Sequence, residues 1–176
     1  MKYNNPALNE YVDECGGQFY DGLNGIGFDD PTISRPWRNI GVLYLKIGDY
    51  KRATDNIIVE PPHTADNGWQ YCGCPIQYLW SGEMYYKGLG VTKDYEKAFN
   101  YFNIVVSDPV LNQFCDILNN YPDIYADACY RLYECYAYGR GVSVDKSKAQ
   151  VYFKEALRFG SSSALYDDQK RYEILL

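Results

Sequence analysis

Residues 88–94 read Gly-Leu-Gly-Val-Thr-Lys-Asp, and residues 139–145 read Gly-Arg-Gly-Val-Ser-Val-Asp. Sliding the chain by 51 places aligns these two stretches and extends the match on both sides without a gap. Tyr85 falls on Tyr136, Gly88 on Gly139, Gly90 on Gly141, Val91 on Val142 and Asp94 on Asp145. Beyond them Lys97 falls on Lys148, Ala98 on Ala149, Tyr101 on Tyr152 and Phe102 on Phe153. A fixed internal period of this kind marks a repeat architecture. Gly88 and Gly139 can take the left-handed conformation that ends a helix without steric cost. Asp94 and Asp145 are good N-caps, because a carboxylate accepts backbone N–H bonds and complements the helix dipole. Apolar residues then recur at helical spacing: Ala98, Tyr101, Phe102 and Val105 in one copy, Ala149, Tyr152, Phe153 and Ala156 in the other. Each copy is a helix, a glycine loop and a second helix, and the small Ala98 and Ala149 let the two helices come close.

A more distant copy lies upstream. Gly41-Val42-Leu43-Tyr44 aligns with Gly82-Glu83-Met84-Tyr85 at an offset of 41, and Asp49-Tyr50-Lys51-Arg52-Ala53 with Asp94-Tyr95-Glu96-Lys97-Ala98 at 45. The difference falls between the two helices, so this hairpin has a shorter turn.

The pattern Gly82, Tyr85, Gly88-x-Gly90-Val91, Asp94, Lys97-Ala98, Tyr101-Phe102 resembles the Sel-one-like repeat, a relative of the tetratricopeptide repeat with a longer inter-helix loop. The later copy keeps it at Leu132, Tyr136, Gly139-x-Gly141-Val142, Asp145, Lys148-Ala149 and Tyr152-Phe153, followed by Gly160 and Ala164. The upstream copy, with its Lys46-Ile47-Gly48-Asp49 turn, is similar to the tetratricopeptide version. The resemblance covers roughly residues 35–165 and implies an all-α fold, an alpha-alpha superhelix (solenoid) of about three helix-turn-helix repeats with terminal capping helices. The expected layout is one structural domain. An N-terminal capping helix and glycine-rich loop fill 1–35, three hairpins with an inserted short helix near 109–119 fill 36–165, and a C-terminal capping helix fills 166–176.

Three departures from regularity carry their own expectations. Asp108-Pro109 offers an N-cap with proline in the first turn of the inserted helix, and Asn119-Asn120-Tyr121-Pro122 stops it, which would interrupt stacking. Gln77 and Ser81 stand where the family has small and aliphatic core residues, so the first helix of that copy is expected to pack loosely. Ser163 is the expected cap of the last helix.

Composition excludes several functions. Seventeen basic against twenty-three acidic residues give a net charge of -6, with no basic run to follow a phosphate backbone, so nucleic acid is not an expected partner. No run of 18 apolar residues could span a bilayer, and the N-terminus lacks the apolar stretch of a secretory signal. No membrane partner and a cytoplasmic location are the expectations, given Met1 as the native start. In that compartment Cys15, Cys72, Cys74, Cys115, Cys129 and Cys135 act as small hydrophobes or idle thiols, and Cys129 and Cys135 point in different directions along one helix.

Chemistry finds little to work with. Cys72-Gly73-Cys74 is the only metal-like spacing and His63 the only histidine, with no second ligand pair at a zinc-like distance. Nothing basic adjoins those thiols to lower their pKa. The neighbouring carboxylates Asp29-Asp30 and Asp167-Asp168 diverge, and the glycine loops lack the strand and lysine of a phosphate loop. No cofactor, metal ligand or catalytic residue is expected.

Binding is the remaining function. In a stacked array the first helices line the concave face. Carried over from the resemblance, that face consists of Arg35, Arg38, Val42, Leu45 and Lys46 in the upstream copy, then Leu79, Glu83, Tyr86 and Lys87, then Asp127, Tyr130, Glu134 and Tyr138. Twenty tyrosines suit such a surface, since a large ring with a polar tip serves both core and interface. The expected function is a non-catalytic scaffold that holds a peptide or protein surface. An immunity-type inhibitor of a toxin encoded beside it, a thiol or metal site at Cys72 and Cys74, and a tyrosine-mediated homodimer are the alternatives.

Overall fold

A computed structural model describes residues 41, 44–45, 47–58, 63–64, 70–71 and 75–174. The chain divides into two compact units, Met1–Asn56 and Ile57–Leu176.

In the first unit Gly41, Tyr44 and Leu45 are helical, and a tight turn leads into α1 (Tyr50–Ile57). Gly48 makes the turn at φ +79°. The Asp49 amide donates to the Tyr44 carbonyl at 2.9 Å, and its carboxylate accepts from the Arg52 amide at 3.2 Å. Asp49 thus caps α1 while closing the turn. Ala53 is fully buried, and the Arg52 guanidinium stands 5.5 Å from the centre of the Tyr44 ring.

The second unit adds a short antiparallel pair, β1 (His63–Thr64) with β2 (Gln70–Tyr71), and then two hairpins. The first consists of α2 (Pro75–Lys87) and α3 (Tyr95–Ser107), the second of α6 (Pro122–Tyr138) and α7 (Lys146–Arg158). Their internal repetition is atomic. Gly88 and Gly139 have φ +74° and +70°. The amides of Leu89 and Arg140 each return to the carbonyl five residues back, Met84 or Cys135, at 2.9 Å. That bond closes the last turn of the first helix. The amides of Asp94 and Asp145 each reach back across the loop to Tyr85 or Tyr136 at 3.0 Å, and each carboxylate accepts the third helical amide at 3.0 Å.

The repeated tyrosine and lysine letters form a clasp. Tyr85 stacks on Tyr101 with ring centres 5.7 Å apart, and Tyr136 on Tyr152 at 5.6 Å. Lys97 and Lys148 each place their ammonium 5.2 Å from the first ring of the pair. Each clasp ties the first helix to the second by ring stacking and a cation–π contact.

Close approach within the first hairpin is set at Gly82, where a β-carbon would strike the Phe102 ring. Ala98 and Ala149 are buried, as their small size suggests. The first helix does not pack loosely. Tyr78 and Met84 are fully buried, and the Ser81 hydroxyl, also fully buried, donates to the Ile57 carbonyl at 3.2 Å. A serine is tolerated there because its polar atom has a partner.

The insertion is two short helices rather than one, α4 (Pro109–Cys115) and α5 (Ile117–Asn120). Asp108 caps α4 through a 2.9 Å bond from the Leu111 amide. Asp116 breaks the pair at φ +43°, a conformation that a short polar side chain can support, here through a 2.8 Å bond from the Asn119 amide group. Leu111 and Ile117 are driven into the core with Phe102, Val105 and Leu132, each such side chain contributing about 1.5–3 kcal/mol by burial. The two hairpins still stack: Phe99 meets Tyr136 edge to face at 5.5 Å.

The last helix, α8 (Ser162–Ile174), starts before Ser163, which therefore lies inside the first turn. Gly160 turns the chain at φ +83°, and the Ser161 carbonyl accepts the Leu165 amide at 3.0 Å, so Ser161 holds the cap position.

Candidate protein-binding surface

Helical spacing puts Ile76, Trp80, Glu83 and Lys87 on one stripe of α2, and the same offset of 51 puts Asp127, Arg131, Glu134 and Tyr138 on one stripe of α6. The stacked hairpins bring these stripes together. Between them and the start of α8 lies a hollow of about 180 Å³, bounded by Leu79, Trp80, Lys87, Asp127, Tyr130 and Ser162 among others.

Arg131 sits at the centre. Its guanidinium donates to both carboxylate oxygens of Glu83, across the helices, and to Glu134 one turn further along α6. Lys87 pairs with the same Glu83. Arg140, from the glycine loop, donates to Glu134 at 3.2 Å and to the Tyr86 hydroxyl. The two guanidinium groups lie 5.2 and 5.3 Å from the Tyr86 ring centre. Burial works against the charge on Arg131, but the Glu83 and Glu134 carboxylates outweigh it and hold the guanidinium charged. Burial likewise pushes the Tyr86 phenol well above its usual range, so it stays protonated. Because Glu83 is only 7% exposed, these charges are desolvated and mutually satisfied, which fixes the geometry of the face.

The edge toward α8 is tied separately. The Tyr130 hydroxyl donates to Asp167 at 2.8 Å, and the Ser161 hydroxyl to Asp127 at 2.9 Å. Asp167 is thus a partner of Tyr130 rather than a free surface carboxylate. Burial, and then the Asp167 carboxylate, keep the Tyr130 phenol protonated.

Of the residues expected on the concave face, Leu79, Glu83, Lys87, Asp127 and Tyr130 border the hollow. Glu83, Tyr86 and Glu134 are the frame of the ion-pair network. Tyr138, 60% exposed, instead borders a different hollow at the far end of α6. Leu45 is half-buried in the first unit. Arg35, Arg38, Val42 and Lys46 lie outside the described residues, as do Cys72 and Cys74.

Sequence reading passed over Trp80, Arg131 and Arg140. Arg131 was legible, since it stands four residues from Asp127, three from Glu134 and seven from Tyr138, on the same helical stripe. Trp80 is its counterpart 51 residues back. Arg140 carried no signal of its own, because its place above Tyr86 comes from the loop seating on the neighbouring hairpin.

Among the described residues no group of three or more His, Cys, Asp or Glu is placed to hold a metal, and no helix is long and apolar enough to cross a membrane. The Cys129 and Cys135 thiols are free and buried, each pushed up to about 12, mainly by burial. The arrangement offers rigid aromatic and charged contacts, with its carboxylates and guanidinium groups committed to each other. The family model of the Sel1 repeat matches residues 77–104 and 126–158, the cores of the two hairpins. No curated protein matches the chain significantly.

Proposed function

We propose that this chain, whose two hairpins match the Sel1 repeat, is a non-catalytic scaffold that holds a protein or peptide on the stripe formed by α2 and α6. Sel1 repeats generally mediate protein–protein interaction. The observation that carries the reading is the ion-pair network of Arg131, Glu83, Glu134 and Arg140 beneath a hollow edged by Trp80, Lys87 and Tyr130. A surface whose charges are already paired loses little conformational freedom on binding, and preorganisation of this kind raises affinity. Trp80 and Tyr130 supply the large rigid contacts that dominate interfaces, and Lys87, with its side chain 47% exposed, supplies a reachable charge.

Trp80→Ala and Lys87→Glu test the reading. A partner captured from the native host's lysate by wild-type protein should bind Trp80→Ala at least about 30-fold more weakly, the loss of a hot-spot residue worth about 2 kcal/mol or more. The helical signal of both variants should match wild type. Full retention of the partner by both would refute the assignment of this face.

A further inference from the structure

Charge is unevenly spread over the α2–α6 face. At one end three cations share two carboxylates. Arg131 bonds Glu83 and Glu134, Lys87 pairs with the same Glu83, and Arg140 bonds the same Glu134. Among the described residues this closed set carries one positive charge in excess. Lys87, with its side chain 47% exposed, is the member that an incoming group reaches most easily.

The edge toward α8 is the reverse. Asp127 and Asp167 accept from the hydroxyl groups of Ser161 and Tyr130, and a hydroxyl brings no charge to offset a carboxylate. Arg131, one turn along α6 from Asp127, directs its guanidinium to Glu83 and Glu134 instead. Asp127 is exposed at the rim of the hollow, with Ser161 on its Oδ1.

The two ends are close enough for one short segment to meet both. Arg131 follows Asp127 by four residues, about 6 Å along the helix, and Lys87 reaches the Glu83 that Arg131 holds. Between them lies the hollow of about 180 Å³, edged by Leu79 and Trp80. Apolar walls there screen the field between the two ends less than open water does.

We propose that the partner segment is dipolar: a carboxylate facing Lys87, a cation facing Asp127 about one turn away, and an apolar side chain beside them against Trp80. The inference rests on the proposed α2–α6 face and adds the chemistry of its occupant. On a helical partner the two charges stand three or four residues apart. A segment of a single sign is repelled at one end or the other, so neither an acidic tail nor a basic one fits.

Peptides selected from a random display library on the wild-type protein, and kept only if Trp80→Ala fails to retain them, test the proposal. The expected result is that they carry an acidic and a basic residue within about one turn of each other. Replacing the peptide's acid by its amide should weaken binding to wild type about fivefold or more, and should have no further effect on binding to Lys87→Gln. Replacing the peptide's cation by glutamine should likewise lose its effect only with Asp127→Asn, a variant that keeps an acceptor for Ser161. Trp80-dependent peptides without the charge pair would overturn the dipolar partner and leave the face standing, as would losses that do not couple to Lys87 and Asp127 in this way. A selection yielding no Trp80-dependent peptide would overturn the face, and the proposal with it.

Discussion

Gly141→Ala and Gly160→Ala place the same methyl group on the same kind of backbone, at φ +76° and +83°, yet their surroundings differ completely. Nothing lies within 4 Å of a β-carbon at Gly160. At Gly141 that carbon would fall on the carbonyl of Tyr95, a backbone group at the start of α3 that cannot rotate away. Both variants carry the left-handed cost of an L-residue, about 1–2 kcal/mol, partly offset by about 0.4–1 kcal/mol from a stiffer unfolded chain. Gly141→Ala adds an overpacking cost of about 1–3 kcal/mol. If the loop lifts to relieve the clash, the Phe99–Tyr136 edge contact weakens as well, at about 0.5–1.5 kcal/mol. The gap between the variants is therefore about 1.5–4.5 kcal/mol, a difference in Tm of at least about 3 °C for a chain of this size. Thermal and urea unfolding followed by circular dichroism measure it. Equal Tm values for the two variants would refute the claim that the glycine loop of one hairpin seats on the backbone of the other.

Two further outcomes follow from the network and the buried thiols. Arg131→Met leaves Glu83 with Lys87 alone and should cost about 2–3 kcal/mol in urea unfolding, below the 3–5 kcal/mol of a fully buried pair because Lys87 remains. Adding Glu83→Gln should recover about half of that loss, whereas a cost under about 1 kcal/mol for Arg131→Met would make the network no stronger than surface pairs. The Cys129 and Cys135 thiols are raised in the folded chain from an ordinary 9.0 to about 12, so their contribution is complete below pH 9 and is lost as pH rises toward 12. The fall in urea midpoint over that window should be shallower in the Cys129→Ala, Cys135→Ala double variant, and an identical slope would count against burial as the cause.

The hairpins were legible because their punctuation is chemical. Gly88, Asp94 and their partners 51 residues on announce a left-handed turn and an N-cap, and the structure uses them so. The Tyr85, Lys97, Tyr101 spacing carried the clasp as well, though only coordinates show the lysine above the stacked rings. The break at Asp116 was not legible, since an aspartate within an apolar stripe reads as a surface residue until its φ is known. Ser81 misled for a related reason: a polar residue at a core position signals looseness unless its partner is known, and that partner is a carbonyl 24 residues earlier. On the candidate face, the resemblance pointed to Glu83, Asp127 and Tyr130 but could not say that Glu83 and Glu134 both bond Arg131. Long-range pairing of charges depends on the stacking register, and one sequence does not display it.

The most direct test of the binding face is a photo-crosslinking scan in the native host, with the reactive residue at Trp80 or Lys87 on the α2–α6 face and at Val151 on the exposed side of α7. The expected result is one protein attached at Trp80 and Lys87 and missing at Val151. Attachment at Val151 with none at Trp80 or Lys87 would contradict the assignment.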